Sequence, residues 1–173
     1  HNHLIAALAT QMKELATPEF KAYIKQTKAN AATLAEYLVA KGYKLATGGT
    51  ENHLLLWDLR PLGLTGSKME KVFDKLHITM NKNAVHGDVS AMSPGGLRIG
   101  APAMPSRGLQ DADFVKVGEF PVRGIDFPLE VPSQPGQKLV DFLKPLHDEG
   151  HNANVAALQA DAQHFAGALP FPG

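Results

Sequence analysis

The chain has 173 residues, 44% hydrophobic and 20% charged, and its 17 basic side chains balance 17 acidic ones. This composition is typical of a globular protein with a substantial core. Binding to a nucleic acid or to an anionic membrane needs an excess of basic residues, so the zero net charge predicts neither partner. No apolar run approaches a membrane span, and the absence of cysteine excludes disulfides, thiolate chemistry and cysteine zinc sites.

Two amphipathic helices are predicted at the start of the chain. The first has an apolar stripe at helical spacing, formed by Leu4, Ile5, Leu8, Met12 and Leu15. Thr17-Pro18-Glu19 begins a second helix with an N-cap, a proline and an acid, and Gly42 ends it. Both stripes predict core or helix–helix packing, and the length of the pair indicates a connector between two bodies of a protein.

The middle of the chain predicts strand, strand, helix, strand, strand. The strands are expected at Tyr43 to Ala46, His53 to Leu59, Ile78 to Met80 and Leu97 to Gly100. The second is nearly all apolar, which predicts burial on both faces. Ser67-Lys68-Met69-Glu70 has the pattern of a capping box, and Asp111 is a predicted N-cap for a later helix. The pattern indicates an α+β fold with helices on one side of a small sheet.

Prolines dominate the end of the chain. Pro121, Pro128, Pro132 and Pro135 argue against continuous helix. Two short helices are expected instead, at Leu139 to Leu146 and at Val155 to Phe165. The last four residues, 170–173, are predicted to be a loose end.

The densest run of special-purpose residues is Asn81 to Pro102, NKNAVHGDVSAMSPGGLRIGAP. Strand alternation turns Leu97 and Ile99 to one side and Arg98 to the other. A guanidinium on a rigid strand beside glycines is suited to binding a carboxylate with two parallel hydrogen bonds. The alternative is an arginine on a solvent face or in an ordinary ion pair, which is common. No metal site is predicted. His1 and His3 are two apart and do not share a helical face, and His147 and His151 are four apart but have Gly150 and the wrong acid order between them and Pro145 upstream.

Several motifs, in order, resemble serine hydroxymethyltransferase, the pyridoxal-phosphate enzyme of one-carbon metabolism. They are His1 to Leu8, Thr17 to Lys21, Gly48 to Leu54, Gly63 to Gly66, Asn81 to Asn83, Gly95 to Ala103 and Ser106 to Leu109. The resemblance is strong as far as about Glu119 and thin beyond it. Trp57 to Gly63 is most similar to plant and algal cytosolic forms.

The resemblance implies the C-terminal portion of that enzyme, which interconverts serine and tetrahydrofolate with glycine and 5,10-methylene-tetrahydrofolate. The expected fold is the small domain of the aminotransferase-like transferases, a small antiparallel sheet with packed helices. Residues 1–42 would be connector helices, 43–120 the α+β domain and 121–173 a divergent helical tail. Arg98 matches the arginine that binds the substrate carboxylate. Asn83 and the loop residues Ser90, Ala91 and Met92 match folate-site positions, with a one-residue shift of that loop left open.

The resemblance also places pyridoxal 5'-phosphate and its lysine in the large domain, upstream of this sequence. The chain alone is therefore expected to be inactive, with no catalytic and no cofactor-binding residue. Its expected partners are that large domain, on the same or a complementary chain, and further copies in a homo-oligomer. The cytoplasm is the expected compartment, with mitochondrion and plastid as alternatives. The alternative function is a non-catalytic interaction or scaffold module derived from the same domain.

Overall fold

The computed structural model describes residues 1–90, 92–130, 139–144 and 149–171, and within them six helices and four strands. The helices are α1 Asn2–Leu15, α2 Pro18–Ala40, α3 Gly66–Lys75, α4 Asp113–Glu130, α5 Leu139–Leu143 and α6 Glu149–Gly167. The strands are β1 Lys44–Leu45, β2 Leu54–Asp58, β3 Asn81–Asn83 and β4 Gly96–Gly100. Short 3₁₀ turns lie at Arg60–Leu62 and Pro105–Arg107.

The four strands form one antiparallel sheet in the order β1-β2-β4-β3. Arg98 of β4 lies opposite Leu56 of β2 on one side and opposite Asn81 of β3 on the other. Directly opposed residues of antiparallel strands turn their side chains to the same face of the sheet. The α+β class, the order of the middle elements and the antiparallel sheet are therefore confirmed.

Helices cover one face of this sheet and leave the other open. The covered face contributes to a single apolar core, which includes Leu34, Leu55, Trp57, Met69, Phe73, Leu97, Phe114 and Ile125. On the open face Leu54 and Leu56 are half-buried, and Asn81 and Arg98 are exposed. The prediction that the second strand is buried on both faces is therefore wrong for its outward-facing leucines.

The start of α3 and the strand after it differ from the prediction. Thr65 is the N-cap and its hydroxyl accepts a hydrogen bond from the Lys68 amide. Ser67 and Glu70 do not form the predicted capping box, because the Glu70 carboxylate accepts from the Lys82 amide instead. The strand lies at Asn81–Asn83 rather than Ile78 to Met80, because Met80 is buried in the core before pairing with β4 begins.

Helix α4 continues through Pro121 and Pro128, so the prediction of broken helix is wrong there. Close packing on neighbouring helices explains this outcome. Gly118 faces the ring of Tyr37, and Gly124 lies so close to Phe73 that a Cβ would overlap with its ring. Pro132 and Pro135 lie outside the described residues. The boundary predicted between residues 120 and 121 falls inside α4. The division into 1–42, 43–120 and 121–173 stays a prediction.

Within the described residues, the predicted burial of the N-terminal stripes is confirmed for most of the α2 stripe. It is wrong for Ile24 of α2, which is 42% exposed, and for the α1 stripe. α2 buries Thr27, Ala31, Leu34 and Leu38. The α1 stripe is open to solvent, with Leu4, Ile5, Leu8 and Met12 between 57% and 66% exposed. Among the described elements, α1 makes its main contact with α2.

The chain end is held more firmly than predicted. α5 is short as expected, with Leu146 outside the described residues, but α6 has 19 residues. The Arg107 guanidinium donates to the carbonyls of Ala166 and Leu169 at 2.6 and 3.0 Å. It also lies over the Phe171 ring, 4.8 Å from the ring centre. The segment up to Phe171 is therefore tied to the turn that follows β4.

Candidate functional site

Arg98 stands at the centre of the open face of the sheet. Its neighbours Leu97 and Ile99 are 0% and 9% exposed and hold the strand against the core, whereas Arg98 is exposed. Within the described residues its guanidinium makes no hydrogen bond and no ion pair. The predicted alternation along β4 is confirmed, and all five N–H donors of the side chain are left for a ligand.

Asn83 shares the open face with Arg98. Its strand neighbour Asn81 is opposite Arg98, and Asn83 itself is opposite Gly96. The side-chain amide of Asn83 donates through Nδ2 to the carbonyl of Ala84 at 2.9 Å. A Cβ on Gly96 would come within 2.7 Å of Val85 and 2.9 Å of the Asn83 carbonyl, so glycine is needed for β4 to lie this close to β3.

Residues 84–95 form a loop that connects Asn83 to β4 and carries Ser90 and Met92. The Ser90 hydroxyl accepts a hydrogen bond from the Met92 amide at 3.2 Å. The Ser67 hydroxyl, in the first turn of α3, donates to the Met92 carbonyl at 3.0 Å. The Met92 side chain is 84% exposed, and Ala91 lies outside the described residues. The structure thus brings Arg98 and Asn83 to one face and Ser90 and Met92 to the loop that joins their strands.

An ion pair at the end of β2 was not identified from the sequence. The Asp58 carboxylate is 1% exposed and accepts two hydrogen bonds from the Arg60 fork, from Nε at 2.8 Å and from Nη2 at 2.9 Å. Lys44 lies 3.2 Å from the same carboxylate. The bonds from Arg60 hold the pKa of Asp58 well below its usual range, and Asp58 in turn raises the pKa of Arg60.

Arg60 reaches from this pair to the loop 84–95. Its Nη1 donates to the carbonyl of His86 at 2.9 Å and lies 3.7 Å from the Asp88 carboxylate. Asp88 accepts from the amides of Gly95 at 2.8 Å and Val85 at 2.9 Å, and these bonds lower its pKa. The available sequence signal was the Asp58-Leu59-Arg60 spacing at the end of a buried strand, which presents an acid and a base at one sheet edge.

A lysine amine is the group that holds pyridoxal phosphate in enzymes that use it. Within the described residues both lysines of the sheet face acids, since Lys44 lies 3.2 Å from Asp58 and Lys82 lies 3.7 Å from Glu70. Among the same residues, no group of three or more acids or histidines could hold a metal ion. No helix in the described part of the chain is long and apolar enough to cross a membrane.

Comparison with known proteins gives one consistent result. The sequence model of the family described as serine hydroxymethyltransferase matches residues 1–121. The chain is 53% identical over all of its 173 residues to serine hydroxymethyltransferase 4 of Arabidopsis thaliana, and 45% identical to the cytosolic serine hydroxymethyltransferase of Oryctolagus cuniculus. In both comparisons it covers 36% of the relative's length. Both relatives align with the entire chain, so the similarity continues beyond Glu119.

Proposed function

Because the chain belongs to the serine hydroxymethyltransferase family, we propose that it forms the part of such an enzyme that binds the amino-acid carboxylate. The reaction interconverts serine and tetrahydrofolate with glycine and 5,10-methylene-tetrahydrofolate. Arg98 is the observation that carries the proposal: it is exposed on a buried strand and has no partner among the described residues. A guanidinium fork binds both oxygens of a carboxylate and so fixes the orientation of the amino acid as well as its position.

The same face supports binding of part of the folate. Asn83 lies on it beside Arg98, and the loop 84–95, which we name the folate loop, carries Ser90, Ala91 and Met92 between the two strands. The exposed thioether of Met92 offers a polarizable contact for a flat ring. The amide of Asn83 and the hydroxyl of Ser90 offer donors and acceptors for its polar edge.

The remaining partners belong to the same proposal. Pyridoxal 5'-phosphate would be held by the large domain, on this polypeptide or a complementary chain, and would act there as the electron sink. The exposed apolar stripe of α1 supports an interface with another protein surface. That surface would belong to the large domain or to another copy in a homo-oligomer. A relative named as cytosolic supports the cytoplasm, and one named as chloroplastic supports the plastid as the alternative.

The α1 stripe also favours a second function, a non-catalytic interaction module. An exposed apolar face of this kind marks a binding surface irrespective of catalysis. In that case the Arg98 side chain would serve no substrate, and replacing it would leave every function of the protein unchanged.

Replacing Arg98 by alanine distinguishes the two functions, using the protein at its natural length supplied with pyridoxal phosphate. Two charge-assisted hydrogen bonds contribute about 3 kcal/mol together, so we expect the serine KM and the glycine Kd to rise about a hundredfold. The melting temperature should not change, because Arg98 is exposed and unpaired among the described residues.

The control is Arg123→Ala, which removes another exposed arginine, on α4. Its guanidinium forms a surface pair with Asp161 at 2.7 Å. This variant should leave serine binding unchanged. Unaltered serine KM in Arg98→Ala would refute the role of Arg98. No serine turnover by the unmodified protein would instead favour the interaction module.

A further inference from the structure

We propose that Arg60 is a positioning residue for the folate loop, held in place by Asp58. The inference rests on the proposed function, because it explains how this chain keeps the loop with Ser90, Ala91 and Met92 ready for tetrahydrofolate. Arg60 itself is not proposed to touch the ligand.

The Asp58 carboxylate holds the Arg60 guanidinium at the end of β2. Asp58 is the last residue of β2 and is paired with Gly96 in the ladder. Its buried carboxylate receives both arms of the Arg60 guanidinium, and the Arg60 amide also donates to it at 3.2 Å. Two parallel bonds fix the plane of the guanidinium, so the remaining nitrogen, Nη1, offers its donors in a set direction.

That nitrogen meets the folate loop. Arg60 Nη1 binds the His86 carbonyl and lies near the Asp88 carboxylate, which is only 10% exposed. Asp88 in turn closes the loop on itself by accepting from Val85 near its start and Gly95 at its end. One side chain therefore connects the core strand to both ends of the loop.

The loop depends on this contact because its middle is open to solvent. Val85, Pro94 and Gly95 are buried at its two ends, whereas every described residue from His86 to Ser93 except Asp88 is exposed. Val89 is fully exposed and Met92 is 84% exposed. A segment with few buried apolar contacts opens at low free-energy cost unless hydrogen bonds hold it. A loop that is already ordered has less conformational entropy to lose when a ligand binds, so loss of the Arg60 contact should weaken tetrahydrofolate binding and spare the amino acid.

Lys44 provides a matched control. It contacts the same Asp58 carboxylate at 3.2 Å, but its side chain is 61% exposed and no contact from it to the folate loop is present in the structure's described part. Lys44→Met removes a cation from Asp58 without touching the loop. An effect that came only from the charge balance of Asp58 would appear in this variant too.

The test compares Arg60→Lys with Lys44→Met in the protein at its natural length with pyridoxal phosphate. Lysine keeps the positive charge beside Asp58 but cannot bind this carboxylate with a fork and reach the His86 carbonyl together. Loss of one charge-assisted hydrogen bond corresponds to about a tenfold effect. We expect tetrahydrofolate to bind about tenfold more weakly by calorimetry, the glycine Kd to stay unchanged, and the Val85 and Gly95 amides to exchange hydrogen faster.

Asp88→Ala is the second variant, because it releases the loop while leaving the Asp58–Arg60 pair intact. It should reproduce the weaker tetrahydrofolate binding with unchanged glycine binding. Unchanged tetrahydrofolate affinity in both Arg60→Lys and Asp88→Ala, or an equal loss in Lys44→Met, would overturn the inference. If the unmodified protein does not bind tetrahydrofolate, the proposed function fails first, and the inference fails with it.

Discussion

Replacing Gly66 by alanine tests how closely α3 is seated on the glycine turn before β4. The Gly66 amide donates to the Pro94 carbonyl at 2.7 Å. A Cβ at this position would overlap with the carbonyl of Gly96 and lie 3.1 Å from that of Pro94. Because these neighbours are backbone atoms, no side-chain rotation can make room, and either α3 or the turn must move.

The expected cost follows from three contributions. Forcing a methyl group into a closed space costs about 1–3 kcal/mol, and losing the bond from Gly66 to Pro94 costs about 1 kcal/mol more. Alanine favours helix over glycine by about 1 kcal/mol, which offsets part of this. We expect the free energy of unfolding to fall by about 2 kcal/mol, and the serine KM to rise because Gly96 is two residues from Arg98.

Urea unfolding followed by far-UV circular dichroism measures this change. Gly167→Ala is the matched control, since it makes the same substitution in a helix where a Cβ meets nothing within 4 Å. It should keep or raise stability, by up to about 1 kcal/mol. If Gly66→Ala unfolds at the same urea concentration as Gly167→Ala, the tight seating of α3 on the turn is refuted.

Two further predictions concern a buried carboxylate and a guanidinium that is hydrogen-bonded to the end of the chain. Bonds from Arg60 lower the folded pKa of Asp58, so its stabilisation is complete above the unfolded pKa of about 4 and is lost as pH falls through the folded value. Asp58→Asn should therefore reduce the loss of urea stability on acidification, and an unchanged acid dependence would contradict this. Arg107 donates to the carbonyls of Ala166, Leu169 and Pro170. Arg107→Lys should speed proteolysis near 166–171. Equal cleavage rates would refute the claim that these hydrogen bonds hold the segment in place.

The sheet could be predicted because its strands follow local rules. In β4 an exposed arginine stands between two buried aliphatic residues, and the period of two predicts that arrangement without any knowledge of the partner strands. The identity of those partners is a different matter. Leu56 and Asn81 flank Arg98 only because β4 inserts between β2 and β3, an order that no local pattern specifies.

Helix α4 shows where a local rule is outweighed. An interior proline costs about 3 kcal/mol or more, which is why Pro121 and Pro128 argued against helix. Burying a large apolar side chain contributes about 1.5–3 kcal/mol, and α4 buries Phe120, Ile125 and Phe127 among others. With Phe114, four such side chains contribute about 6–12 kcal/mol, which matches or exceeds the roughly 6 kcal/mol penalty of two prolines. Their burial becomes visible only when α2 and α3 are in place.

The glycines before β4 show the same limit at the candidate site. In the sequence, Gly95 and Gly96 were part of the glycine-rich approach to Arg98 that suited it to binding a carboxylate. In the structure a Cβ on Gly95 would lie 2.7 Å from the Arg60 side chain, and one on Gly96 would lie 2.7 Å from Val85. These glycines therefore make room for the protein's own side chains, Arg60 above all. Since Asp58 is paired with Gly96, the strand register itself brings Arg60 across the turn, and a longer side chain at residue 95 would displace the arginine from the folate loop.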